Sequence, residues 1–232
     1  MREIVLDTET TGFEPAEGHR IVEIGAVELW NHLPTGNTFH EYVNPERPMP
    51  QEAFEVHGLG DDFLRSKPVF AHVGQRFLDF VADAKLVIHN ASFDMKFLNA
   101  ELEWLGLPRL PMEQAIDTLV MARQRFPGAP ATLDALCRRF GVDNSARERH
   151  GALLDSEILA EVYLELIGGR QPDLVLATRS AGGPATGSGT GEIWRPSPRP
   201  APLPPRLTDE EAAAHASFVE RLGDQALWKR LE

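Results

Sequence analysis

Of the 232 residues only one is cysteine, Cys137, which excludes an internal disulfide and any cysteine-built zinc site. It sits in LDALCRRF, a short helical pattern, where a buried structural thiol is expected. No apolar run approaches the length needed to cross a bilayer. The first residues, MREIVLDTET, lack the basic, apolar and small-residue sections of a signal peptide, so the chain is expected to be cytoplasmic. Positive charge is also scarce. Lys and Arg total 23 against 35 Asp and Glu, a formal net charge of −12. Tight unaided binding to a polyanion comes from many Lys and Arg contacts. A chain this acidic that acted on one would need bound divalent cations or a partner to deliver it, while the plainer use of the charge is solubility.

What is present divides the chain in two. Residues 3–7, 20–30 and 38–43 have strand character, with Gly36 near the turn between the last two, which predicts an antiparallel meander. Helical spacing follows over 69–81, a short strand over 85–88, a helix over 92–105 and a further strand over 116–119. Helices over 132–140 and 151–167 end the pattern. Strands paired first as a meander and later separated by helices predict an α/β fold, a mixed sheet flanked by helices, over residues 1–170. Residues 171–206 are rich in Gly, Ser and alternating Pro and cannot build a core, so they are expected to form a flexible tail. In residues 207–232 a helical signal returns. Thr208 and Glu211 form a capping box, with Asp209 and Glu210 in the first turn, and the pattern runs through Phe218, Val219 and Leu222. So short a helix on a long tether is marginal alone and reads as a docking element.

Chemistry is concentrated in four acids. Asp7 and Glu9 are two apart in a strand and project from one face. Alone the triplet is weak, since a D-x-E should occur about once by chance in such a chain. Asp155 is stronger, because Ile158, Leu159, Val162 and Leu166 cluster around its direction on the last helix. Asp94 repeats this among Phe97, Leu98, Leu102 and Leu105, with Glu101 near the same face and no role evident for it. Helix capping or a salt bridge would explain either aspartate singly. Two of them beside Asp7 and Glu9 favour a shared site, because an isolated buried charge is costly. Converging oxygen donors suit Mg²⁺ or Mn²⁺ rather than zinc. Two such ions about 4 Å apart can activate water and stabilise a leaving oxygen in phosphodiester hydrolysis. His150, just before the last helix, is a candidate general base.

The segments DTETTG (7–12), HNASFD (89–94) and HGALLD (150–155) resemble the three exonuclease motifs of the DEDDh, DnaQ-like superfamily. IDTLVMARQRFPG (116–128) and LDALCRRFGVDNS (133–145) are similar to its proofreading branch, the epsilon subunits of bacterial DNA polymerase III. The resemblance implies a ribonuclease H-like fold and removal of 3′-terminal nucleotides from DNA as 5′-monophosphates. It assigns Asp7, Glu9 and Asp155 to two Mg²⁺ or Mn²⁺ ions, Asp94 to the acidic set and His150 to the base. It places Glu52 and His57 near the terminal nucleotide, though by sequence alone they are helix-start and loop residues. His89 and Asn90 are expected to support the Asp94 turn. The implied partners are DNA 3′ ends, the polymerase alpha subunit through residues 207–232 with Leu227 and Trp228 as anchors, and a small theta-like subunit. Residues 171–176 look like a sliding-clamp peptide anchored by Gln171, Leu174 and Leu176, ending in Leu where stronger versions carry an aromatic. Two other readings stay open: an RNA-trimming member of the superfamily, and a scaffold joining polymerase to clamp.

Overall fold

The computed structural model describes residues 1–147, 149–169 and 208–223. The linker, the clamp-like peptide, Leu227 and Trp228 lie outside them. The described chain falls in two units, and the larger is built on one five-stranded sheet of order β3-β2-β1-β4-β5. Strands β1 (Arg2–Thr10), β2 (Ile21–Trp30) and β3 (Leu33–Tyr42) form the meander, and β4 (Lys85–Ile88) and β5 (Ala115–Asp117) run parallel to β1. The expected mixed sheet is there. The hairpin differs in detail. Its turn is at Asn31 and His32, both with positive φ, and not at Gly36. Gly36 lies inside β3, where residues 35–37 bulge opposite Glu28 and that carboxylate accepts hydrogen bonds from Thr35 and Asn37. Two left-handed residues match the twist of a tight hairpin, and asparagine tolerates that backbone well.

Alternation along β1 sorts the two faces. Ile4 and Leu6 enter a core with Phe70, Val73, Phe77 and Val81 of α3 (Phe70–Val81) and Phe97, Leu98 and Leu102 of α4 (Ala91–Trp104). Val5 faces the opposite core, against Leu159 and Tyr163 of α7 (Ala152–Leu166). Between β3 and α3 in the chain lie α1 (Gln51–His57) and α2 (Asp61–Leu64), and after β5 come α5 (Thr118–Arg125) and α6 (Leu133–Phe140). Sequence spacing missed α2 and α5. The expected strand over 116–119 stops at Asp117 because its carboxylate caps α5, accepting from the Leu119 and Val120 N–H groups. It also accepts from Asn90 and Ala91 at the start of α4. Cys137 is buried, as expected.

One glycine sets how close α7 can come. A Cβ on Gly25 would lie 2.1 Å from the Ala152 carbonyl carbon, and the Ser156 hydroxyl donates to the Gly25 carbonyl at 2.8 Å. Gly25 is the cross-strand partner of Asp7. The missing side chain thus lets the first turn of α7 rest on the sheet beside Asp7, which brings Asp155 to it. In the second unit, α8 (Asp209–Arg221) begins with the Thr208–Glu211 capping box, and none of its residues is buried.

Candidate active site

Asp7 and Glu9 leave β1 on the face that carries Val5, toward α7, while Thr8 points the other way, toward α4. Thr8 fixes Asp94: its backbone N–H and its hydroxyl both donate to Asp94 Oδ1, at 3.0 and 2.7 Å. Asp155 comes down from the first turn of α7. The four carboxylates, contributed by three elements far apart in sequence, line one cleft of about 810 Å³. His150 and Arg147 line it as well, with Phe93, Arg123 and residues 129–134 along its far wall. Glu9 is 8%, Asp94 3% and Asp155 3% exposed and Asp7 is half-buried beside them, too little for water alone to support so many negative charges.

The electrostatics follow from this crowding. Burial, then the charges of Asp94, Glu9 and Asp155, push the Asp7 carboxyl well above its usual range. Burial, then Glu23 across the strand pair and Asp155, raise Glu9 to about 8. Burial raises Asp94 to about 7 against the opposing hydrogen bonds from Thr8. Asp155 goes the other way. Burial would raise it, but its contacts to His150 and Arg147 outweigh burial and hold it below the usual value. Such a site calls for positive charge. One ligand atom each from Glu9, His150 and Asp155 lie within 4.8 Å of one another. Oxygen donors with at most one imidazole fit a hard divalent cation.

Of the residues read from sequence, Asp7, Glu9, Asp94, Asp155 and His150 share the cleft. His89 lines it too, and its Nδ1 is 2.9 Å from the Thr118 hydroxyl at the start of α5, so the ring ties the end of β4 to α5. Asn90 caps α4 in a left-handed conformation. Glu52 is exposed on α1 and lies outside the cleft lining. His57 is not a loop residue: it ends α1 and is buried outside the cleft lining, with its Nδ1 accepting from the Leu59 N–H at 3.0 Å and the ring bonded to the Thr10 backbone. α1 borders the site through the His150 N–H, which donates to the Val56 carbonyl at 3.3 Å. Glu101, without a role in the sequence, is a buried structural acid that receives both Arg20 Nε and Nη2 at 2.7 Å.

Two participants were invisible in the sequence. Arg147 forks onto Asp155, Nε to Oδ1 at 2.6 Å and Nη2 to Oδ2 at 2.7 Å, and reaches Asp134 with Nη1 at 2.8 Å. Glu23 stands opposite Glu9 and is paired with His40 at 2.7 Å. In a run such as NSARERH an arginine reads as a solvated loop residue. Its position three before a candidate base was the only available hint.

The Exonuclease family model matches residues 4–163, and the chain belongs to that family, which makes it a nuclease that works from chain ends. The DNA polymerase III subunit epsilon of Rickettsia conorii is 56% identical over 184 residues, covering 78% of this chain and 80% of that one. The subunit of the same name from Escherichia coli K12 is 45% identical over 239 aligned positions, covering 98% of this chain and 97% of its own. Within the exonucleases, then, the chain is a member of the DNA polymerase III epsilon subunits, and its activity is that of a proofreading 3′→5′ exonuclease. Among solved structures, exonuclease X in complex with 5′ overhanging duplex DNA matches with a TM-score of 0.54 at 25% identity, over 71% of this chain and 90% of that one. The nuclease domain of 3′hExo, a DEDDh family member bound to rAMP, matches in fold with a TM-score of 0.63 at 22% identity, over 72% and 91%. Among the described residues no helix is long and apolar enough to cross a membrane.

Proposed function

We propose that the cleft removes the 3′-terminal nucleotide of DNA as a 5′-monophosphate, with Asp7, Glu9 and Asp155 as cation ligands, Asp94 completing the acidic set and His150 as general base. The observation that carries this is the gathering of four carboxylates from β1, α4 and α7 around one cleft, three of them held above their usual pKa. Two Mg²⁺ or Mn²⁺ ions bound there would neutralise the phosphate and acidify a water. His150, 51% exposed at its side chain, stands on the open side of the cleft where a proton can pass to solvent. Asp94, pinned by Thr8, holds the strand carboxylates in register with α4. The Nδ1 of His57 accepts from the Leu59 N–H, so Nε2 carries the proton, and the ring, at the end of α1 and bonded to the Thr10 backbone at the end of β1, is assigned to the terminal nucleotide. Glu52, on the same helix, is assigned to that nucleotide with it. Mismatched ends are favoured because a frayed terminus reaches the cleft at lower cost.

The test is digestion of a 3′-mismatched primer with and without chelator, with products identified by mass. Nucleoside 5′-monophosphates that vanish with chelator are expected, and wild-type activity in Asp7→Ala would overturn the assignment. RNA and DNA oligonucleotides compared side by side distinguish an RNA-trimming enzyme.

The chain is further proposed to be modular: a nuclease domain over 1–170, a linker with a clamp peptide over 171–206 and a polymerase-docking segment over 207–232. The capping box of α8 supports the last of these, because it specifies a helix without requiring a core. A theta-like subunit is a further proposed partner of the nuclease domain. Deleting 207–232 is expected to remove binding to the polymerase alpha subunit and leave hydrolysis of free oligonucleotides nearly unchanged. Equal loss of both would count against modularity.

A further inference from the structure

We propose that Arg147 is the built-in counter-ion of the acidic cleft, and that it yields Asp155 to a divalent cation and moves onto Asp134 as the cation binds. The inference rests on the reading of Asp7, Glu9 and Asp155 as cation ligands. Its basis is the way one guanidinium is shared. Both oxygens of Asp155 are taken by Arg147, at 2.6 and 2.7 Å, in the planar fork that only arginine presents. The Arg147 side chain is 9% and that of Asp155 5% exposed, so this pair is screened little by water. A divalent ion ligated by Asp155 would share a carboxylate with a guanidinium, and two cations on one buried carboxylate repel strongly. One of them has to leave.

Asp134 supplies the destination. It sits in the first turn of α6, its side chain is half exposed, and it already accepts Arg147 Nη1 at 2.8 Å and Asn144 Nδ2 at 3.1 Å. The guanidinium can therefore release Asp155 while one nitrogen stays bonded, without moving the chain at Asn144.

The exchange also reaches the base. Arg147 Nη2 and Asp155 Oδ2 both face His150 Nδ1, at 2.7 and 3.4 Å, so this ring nitrogen is enclosed by the same ion pair. It is thus covered by the same group that covers Asp155. Moving the guanidinium to Asp134 uncovers both at once. Cation binding and exposure of the base become one event, and Arg147 acts as a positioning residue for each.

The test uses the full chain without DNA. Mn²⁺ is titrated calorimetrically into wild type, Arg147→Met, Arg147→Lys and Asp7→Ala, and ¹⁵N spectra of arginine Nε–H groups are followed on adding Mg²⁺. Coupling between two competing ligands usually spans roughly 5- to 150-fold, so Arg147→Met should bind Mn²⁺ tighter within that range. Arg147→Lys, which keeps the charge but cannot fork, should also bind tighter than wild type. The Arg147 resonance, identified by its loss in Arg147→Met, should shift as Mg²⁺ saturates. Unchanged or weaker binding in Arg147→Met overturns the proposal, and so does a resonance that stays in place. Arg147→Lys equal to wild type overturns it too, since charge alone would then explain the effect. Binding that depends on Asp7 but not on Arg147 removes the exchange alone, whereas binding indifferent to Asp7→Ala removes the underlying reading as well.

Discussion

Treated with chelator, this protein should become less stable as pH rises from about 5 to about 8, the reverse of the behaviour of ion-paired carboxylates. An acid with a raised native pKa keeps its proton in the folded state to a higher pH than in the unfolded chain. Between the two values the native state binds more protons, and stability falls as pH increases. Moving Glu9 from 4.5 to about 8 corresponds to about 5 kcal/mol, and moving Asp94 from 3.8 to about 7 to about 4 kcal/mol. The two carboxyls repel each other, so their effects overlap, and a combined loss of about 4–5 kcal/mol is expected across the window. That is a large part of the roughly 5–15 kcal/mol that holds a typical native protein together. Divalent cation should reverse the trend. Ligand at 100 times its dissociation constant contributes about 2.7 kcal/mol, and more of the acids are ready to bind as pH rises. Urea unfolding followed by circular dichroism, at about pH 5, 6, 7 and 8 with chelator and then with Mg²⁺, reads this directly. Glu9→Gln should flatten the chelated profile. Equal stability of the chelated wild type at both ends of the window would refute the reasoning, because the cleft would then hold no crowded charge.

Gly25→Ala should lower stability by about 3 kcal/mol or more, because the new methyl would meet the Ala152 carbonyl carbon at 2.1 Å. In a domain of this size that is a fall in Tm of roughly 6–12 °C by calorimetry, and Mn²⁺ affinity should drop with it as Asp155 moves from Asp7. Arg20→Ala should cost about 3–5 kcal/mol in urea unfolding, since it strands the buried carboxylate of Glu101, while Arg20→Ala with Glu101→Gln should recover part of the loss. Thr208→Ala should weaken α8 by about 1 kcal/mol, read as lost amide protection at residues 210–212 in hydrogen exchange.

The acids were legible in the sequence because a carboxylate centred on an apolar stripe contradicts its surroundings. Asp94 and Asp155 both stand where leucine would be expected, and both are buried. Strand β4 and helix α3 were legible for the opposite reason, since their spacing agrees with their environment throughout. Where tertiary contacts decide, local pattern was silent. Asp117 reads as the middle of a strand until its carboxylate is found capping α5 and bonding the start of α4. Gly25 reads as a weak spot in β2, because only the approach of α7 gives it a purpose. His57 reads as a loop histidine because its burial comes from packing at the end of α1 rather than from its neighbours in sequence. Arg147 reads as solvated because arginine in a polar loop nearly always is.

The order in which the chain is made has a consequence for the cell that makes it. Asp7 and Glu9 leave the ribosome first, Asp94 near the middle, and Asp155 only after the rest of the sheet has been synthesised. A nascent or prematurely terminated product that lacks α7 would carry most of the acidic residues without the one that closes the cleft. A growing polypeptide therefore lacks one wall of the acidic cleft until the first turn of α7 has been made, and the direction of translation makes that wall the last to arrive.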